Sequence, residues 1–534
     1  MKKSFRIVTL LMAIAMILAL CACGGGNNSN TPGTNNNPST TDNSSDGANQ
    51  GTESGKDTLN FAFLSESQPL DPAKTSDTYT YIVLSQVFDT LVRIESDGSI
   101  APWLATEWDV SADGKEVVFT IRDGVTFHNG DPLTIEDVVY SLNRAIVSPQ
   151  AAKFTAVFEK AEKVDDSSVR ITLPNPYAPF LYSIGNPCMG IVSEKAAEEF
   201  GDDFGRNPVG TGAYKYVDWV SGEKMTLTRN DDWWNTPAAI KDVTLRFISD
   251  ASTAAISLEK GEIDVLYKSS TNDRTALMEN SDLTYYEWDS AMLLHMSFNN
   301  GEESIFNDRK LREAVSYAID PEAILIGGLD GVGGVHHFMT APSAFGYNPD
   351  FRQNEYNPEK AKALMEEAGY PTDGSITVRI RSNETSTYAG PCEVIQEQLR
   401  QIGITATLDK LERATYLDEV TRNFDYDISV YAITALIPDA DYTMYTRLHS
   451  NMLGAGNNFS QTDIPELDDV LDRARVSQDQ EERMALYTEA AQITKDHATV
   501  IPICISKYNI VANKDLKGVS EHAIDLHHMY EYAW

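Results

Sequence analysis

The chain is short of cysteine and of positive charge, and each shortage removes a class of protein. It has five cysteines in 534 residues. Beyond residue 23 only Cys188, Cys392 and Cys504 remain, an odd number spread too widely for a disulfide framework. Buried free thiols are the expectation. Lysine and arginine total 43 against 79 aspartates and glutamates, a net charge of −36. So acidic a surface repels phosphate backbones, which excludes nucleic acid as a partner. It reads as solvated surface and is compatible with cationic ligands. The short phrases of catalysis are missing too: no His-Glu-x-x-His, no Gly-x-Ser-x-Gly and no Gly-x4-Gly-Lys-Ser/Thr. Gly331-Val332-Gly333-Gly334 lacks the last glycine of a dinucleotide loop. Ser221-Gly222-Glu223-Lys224 has Ser-x-x-Lys spacing, but in a predicted hairpin turn. Histidines cluster only at His336-His337 and at His522 with His527-His528, without zinc spacing or neighbouring cysteines. No metal or cofactor is expected, and nothing points to an enzyme.

What is present begins with an export signal. Lys2, Lys3 and Arg6 precede an apolar run from Ile7 to Leu20, the pattern of a secretory leader. The run is shorter than the ~20 residues of a membrane span, and no later stretch is longer. It ends in Leu20-Cys21-Ala22-Cys23-Gly24, which resembles a bacterial lipobox. Cys23 follows a small residue and fits as the lipidated cysteine; Cys21 follows Leu20 and fits badly. Ordinary secretion with two incidental cysteines is the alternative. On this reading residues 1–22 are the leader and the lipid is the only membrane anchor. Residues 23–57 then form a tether: 25 of the 34 residues after Cys23 are Gly, Asn, Ser or Thr, too polar to offset chain entropy. As a flexible coil it would reach roughly 30 Å.

The remaining body alternates strand-like and helix-like segments, an α/β pattern. Val117–Ile121 and Val125–Phe127 flank Asp123-Gly124, a hairpin signal. Thr134 and Asp137 predict a capping box before a helix through Ile146. A second hairpin is expected around Ser221-Gly222. Asn357-Pro358 starts a helix with Ala361, Leu364, Met365 and Ala368 on one face, and Pro465 another with Leu467, Val470, Leu471 and Ala474. Ile376–Ile380, Ile404–Leu408 and Tyr426–Tyr431 read as strands.

Several phrases carry a resemblance. They include Ala101-Pro102-Trp103-Leu104-Ala105, Phe119-Thr120-Ile121-Arg122-Asp123-Gly124-Val125-Thr126-Phe127-His128-Asn129-Gly130, Leu70-Asp71-Pro72, Gly210-Thr211-Gly212-Ala213-Tyr214 and Leu311-Arg312-Glu313-Ala314-Val315. In this order they resemble the oligopeptide/dipeptide/nickel-binding proteins, family 5 of the extracellular solute-binding proteins of ABC importers. The resemblance implies a two-lobed periplasmic-binding-protein-like fold of class II with an extra inserted domain and the ligand cleft between lobes. Lobe I would comprise 58–91, 209–300 and 499–534, the inserted domain 92–208 and lobe II 301–498. It implies a monomer on the extracytoplasmic face of the cell membrane. That monomer would pass a peptide or another small solute to permease and ATPase subunits on separate chains.

By the same resemblance, Ser76, Asp77 and Thr78 approach the ligand, although a polar surface loop explains them equally. Ser290, Met292 and His295 lie on the strand crossing between lobes, where His295 also reads as a core histidine. Lobe II would supply Thr387, Tyr388, Tyr431, Thr434 and Leu436. Peptide-binding relatives place an aspartate three residues before the acid of an Asp-Pro-like pair, to hold the α-ammonium. Here the pair is Asp439-Ala440 and that position is Leu436, so the anchor is absent. Asp439 or Asp441 would substitute for it or cap the following helix. Arg413 stands where relatives often have a cleft tryptophan, and would favour an anionic solute unless it pairs with Glu412 or Asp409. Nickel chelates and saccharides are alternative solutes, and a surface receptor or a hydrolase the more distant alternatives.

Overall fold

A computed structural model describes residues 56–454 and 457–534. The leader, Cys23 and the tether up to residue 55 lie outside the described residues. Lys56 and Asp57, given to the tether by composition, are tied to the body. Lys56 pairs with Asp264 and stands 4.2 Å from the centre of the Trp534 ring. The Asp57 carbonyl accepts from the N–H groups of Lys241 and Asp242.

One large mixed sheet runs through the body. Its strands lie in the order Ile404–Leu411, Ile376–Asn383, Ile428–Thr434, Leu283–Phe298, Val500–Asn513, Val265–Tyr267, Thr58–Phe63, Asp242–Phe247, Lys224–Arg229 and Tyr214–Val220. Thr58–Phe63 and Ile376–Asn383 each pair in parallel with both neighbours. Such strands are covered on both faces, which is why Phe61, Ala62 and Phe63 are all buried. Toward the edge, Lys224–Arg229 buries only Met225 and Leu227, the alternation of a half-covered strand.

Leu283–Phe298 and Val500–Asn513 join the two halves of this sheet. They pair antiparallel along most of their length, with register shifts between Asp289 and Leu293 and again between Leu294 and His295. Strands from 376–434 lie on one side of this ribbon and strands from 58–267 on the other.

A separate antiparallel sheet contains Ala105–Val110, Glu116–Ile121, Ser168–Thr172 and Lys160–Lys163 in that order. The helix Ile135–Ile146 buries Val138, Leu142 and Ala145, and starts with the expected capping box between Thr134 and Asp137. The hairpin expected at Asp123-Gly124 does not form. Both edges of Glu116–Ile121 are already paired, to Ala105–Val110 and Ser168–Thr172. Val125–Phe127 closes instead on its own loop, where the Phe127 N–H bonds the Asp131 carbonyl. The hairpin at Ser221-Gly222 does form, with Gly222 at φ +73°. The helices Pro358–Glu367 and Pro465–Val476 bury the predicted faces, apart from half-buried Leu364 and Ala368 at the C-cap of the first.

The Gly210-Thr211-Gly212 phrase has a steric cause. A Cβ on Gly210 would sit 2.1 Å from the Val87 carbonyl oxygen, and one on Gly212 2.6 Å from that of Gln86. The Thr211 hydroxyl donates to Asp89 at 2.8 Å, and the indole N–H groups of Trp103, Trp234 and Trp233 reach the same carboxylate at 2.7, 2.9 and 3.4 Å. Burial pushes that carboxyl up, and the four donors oppose the shift.

The separate sheet shares one apolar core with the strands of 58–267: Phe119 and Val169 belong to the same cluster as Phe61 and Leu245. Three other clusters fill 291–505 among the described residues, around Val315, Ile395 and Leu399, around Leu467, Tyr487 and Ala490, and around Tyr416 and Tyr426. Cys188, Cys392 and Cys504 are buried free thiols. His336 and His522 are buried and bond the carbonyls of Thr340 and Ile94.

Candidate ligand-binding cleft

The strand Ile428–Thr434 is mostly buried and ends at Thr434, four residues before Pro438. The chain then turns into a wide helical segment, Asp441–Tyr445, and the short helix Thr446–Leu448. This turn forms one wall of a cavity of about 450 Å³. Tyr431, Thr434, Leu436, Asp441, Tyr442, Tyr445, Arg447 and Arg475 line it from one side. Lys153, Phe154, Val157, Tyr177 and Ser183 line it from the other. The cavity therefore lies where the segment carrying the separate sheet faces the segment between the ribbon crossings, the usual place for a solute pocket.

The two walls touch beside the cavity. The Ala178 N–H donates to the Arg475 carbonyl at 2.9 Å. The Arg475 guanidinium stands 4.9 Å from the Tyr177 ring centre and 3.9 Å from that of Tyr445. It also lies 3.8 Å from Asp441 Oδ2. Asp441 is buried, and its Oδ1 has no hydrogen-bond partner among the described residues. Burial pushes its carboxyl up to about 6, with Arg475 opposing. Asp441 was expected to cap the helix or replace the missing anchor; it makes no cap bond, because Ala440 occupies the cap position. Asp439 does take the capping role, its Oδ1 accepting the Asp441 backbone N–H at 2.9 Å, and it also accepts from Arg483 Nη2 at 2.8 and 2.9 Å and from the Tyr487 hydroxyl at 3.1 Å.

An aromatic stack backs the wall. Tyr431 lies between Tyr388 and Tyr416, with ring centres at 5.4 and 5.1 Å. On the adjoining ribbon strand Tyr431 pairs with His295, a buried histidine that burial, with the Arg447 charge, pushes down to about 3.

Of the residues expected at the site, Tyr431, Thr434 and Leu436 line the cavity. Tyr388 stacks behind Tyr431 instead. The exposed Ser76 offers its carbonyl to Lys153 Nζ at 3.3 Å, next to the cavity. Asp77 caps the helix Thr78–Val87 through the Thr80 N–H, and Thr78 is that helix's first residue. The Ser290 hydroxyl bonds Ser506 at 2.6 Å, and half-buried Met292 pairs with Thr434. Thr387 and Arg413 are exposed, and neither lines the cavity. Arg413 makes no ion pair with Glu412 or Asp409 among the described residues; Asp409 pairs with Arg381. Sequence reasoning missed Lys153, Tyr177, Tyr445, Arg447 and Arg475. The one signal available was an arginine in the otherwise apolar and tyrosine-rich stretch Tyr442–Leu448.

Comparison with known proteins gives the fold its relatives. Bacterial extracellular solute-binding proteins, family 5 Middle, match residues 99–454. The chain is 28% identical to the probable D,D-dipeptide-binding periplasmic protein DdpA of Escherichia coli over 87% of this chain and 91% of that protein. It is 28% identical to the glutathione-binding protein GsiB of Salmonella typhi over 84% of this chain and 89% of that one. Among solved structures, HbpA2 from Haemophilus parasuis superposes with a TM-score of 0.83 at 26% identity, covering 89% of this chain and 99% of that one. DppA from Helicobacter pylori, in complex with the peptide STSA, gives 0.73 at 26% identity over 90% and 98%. The fold is thus the two-lobed α/β fold of periplasmic binding proteins, and this chain belongs to the bacterial extracellular solute-binding proteins, family 5.

Proposed function

We propose that this chain is the lipid-anchored receptor of an ATP-driven importer, holding a peptide or peptide-like solute in the Tyr431–Arg475 cavity until permease and ATPase subunits accept it. The observation that carries this is the cavity itself. It is sized for a small solute, has walls from two parts of the body, and is flanked by the Ala178–Arg475 contact. Relatives named as dipeptide- and glutathione-binding proteins support the peptide reading, and the partner-less oxygen of Asp441 supplies an acceptor for an ammonium in place of Leu436. The lobes would be 58–91 with 209–300 and 499–534, against 301–498, with 92–208 inserted. The ribbon crossings near 298–300 and 499–503 would be the hinges. Such a receptor works as a monomer and returns its solute chemically unchanged. Ligand drives closure only through the extra contacts of the closed state.

Native mass spectrometry of protein purified from its own cells should reveal a co-purified solute. Returning that solute to stripped protein should shrink the radius of gyration in solution scattering. Tight binding with an unchanged scattering curve would refute closure, and conversion of the solute would refute a receptor. For the anchor, Cys23→Ala should release the protein into the medium. Release by Cys21→Ala instead would move the lipidated residue to Cys21.

A further inference from the structure

Arg447 is the one buried cavity-lining cation whose charge no carboxylate meets among the described residues. Lys153 is largely exposed to water and holds the Ser76 carbonyl, and Arg475 has Asp441. The Arg447 side chain is only 7% exposed. Its Nη1 donates to the Asn457 carbonyl at 2.8 Å, and its Nε has no partner among the described residues. The guanidinium lies 4.2 Å from the Phe459 ring centre, and burial disfavours its charge. A buried charge without an opposite charge is costly, and proteins keep one where a ligand completes it.

We infer that Arg447 is the anion subsite of the cavity, receiving a carboxylate of the solute through its free N–H groups within the tyrosine-phenylalanine cage. The inference rests on reading this cavity as the solute site. Arginine suits the task because its planar fork of N–H donors matches two carboxylate oxygens. The solute is then pinned at an acidic group lying deep against the Tyr431 wall, not at the exposed Arg413.

The test uses full-length protein and two probe sets in thermal-shift and calorimetric titrations. One set is free dipeptides of alanine, phenylalanine and lysine with their C-terminal amides; the other is succinate and benzoate with succinamide and benzamide. Wild type should bind carboxylates at least ~10-fold more tightly than the matching amides, from a charge-assisted bond of 1.5–3 kcal/mol. Arg447→Met should lose that preference and leave amide binding unchanged, while Arg447→Lys should keep part of it. Arg447→Met should also melt at a higher temperature than wild type, whereas a merely structural arginine would lower it when removed. Equal binding of acids and amides by wild type, a preference surviving in Arg447→Met, or no carboxylate bound in either set would overturn the inference. A co-purified solute that closes the protein yet carries no acidic group would sink this inference alone and leave the receptor reading standing.

Discussion

The backbone N–H of Ala178 and the carbonyl of Arg475 are hydrogen-bonded across the cavity mouth, while the Arg475 side chain lies over the Tyr177 ring. Apolar packing of Tyr177 and Phe180 with Ile437 also joins the two walls, and the Arg475 contact adds to it. A cation–π contact of this kind is worth about 0.5–2 kcal/mol. Tyr177→Ala should therefore shift unliganded protein toward an open form, seen as a larger radius of gyration in solution scattering. An unchanged radius would show that the walls are held elsewhere.

Acid should destabilise the protein through its buried histidines. Burial pushes His128 and His522 down to about 4 and His295 to about 3. Between those values and 6.5 the unfolded chain binds protons that the folded one does not. Their stabilisation is complete above 6.5 and is lost as pH falls, by roughly 1.4 kcal/mol per pH unit for each. Asp441, raised to about 6, runs the other way: its contribution falls as pH rises from about 4 to 6. The three histidines outweigh it. Urea midpoints measured from pH 4.5 to 7 should rise with pH, and His295→Gln should flatten the slope by one histidine's share.

Two glycines separate steric need from conformational need. Gly210→Ala forces a Cβ to within 2.1 Å of the Val87 oxygen and should cost more than ~3 kcal/mol. Gly124, at φ +77°, has nothing within 4 Å of its missing Cβ. Gly124→Ala should cost only about 1–2 kcal/mol of backbone strain. Equal losses in chemical denaturation would contradict the packing argument.

Asp89→Asn tests the tryptophan hub. An amide offers one acceptor oxygen and turns an N–H₂ toward donors that the carboxylate satisfied. The loss should be about 2–4 kcal/mol, accompanied by a change in tryptophan fluorescence. A stability within 0.5 kcal/mol of wild type would mean the hub relaxes freely.

Much of the fold was legible locally. The Thr134–Asp137 capping box, the Gly222 turn and the Pro358 and Pro465 helices depend on residues within one turn of each other. Strand partnership was not. Val125–Phe127 had the right composition for a hairpin, but the neighbouring strand's edges had gone to segments before and after it in the chain. The cavity was legible only on one wall. Tyr431 lies on a strand that the sequence marks, with Thr434 and Leu436 at and just past its end, whereas Lys153 and Tyr177 reach the site only after another part of the chain has folded beside them. Asp77 caps the helix Thr78–Val87, a local role that its place two residues before Tyr79 and three before Thr80 makes legible.

The ribbon of Leu283–Phe298 and Val500–Asn513 sets what kind of motion such a body has. Two hydrogen-bonded strands bend and twist with little resistance, but sliding one by a residue would turn its whole buried face outward. The register shifts near Asp289–His295 interrupt the ladder a few residues before the proposed hinge at 298–300. Mechanically this is a leaf spring with one soft mode. On the receptor reading proposed above, occupancy of the cavity would be converted into an angle, a single coordinate that a partner could read without touching the solute.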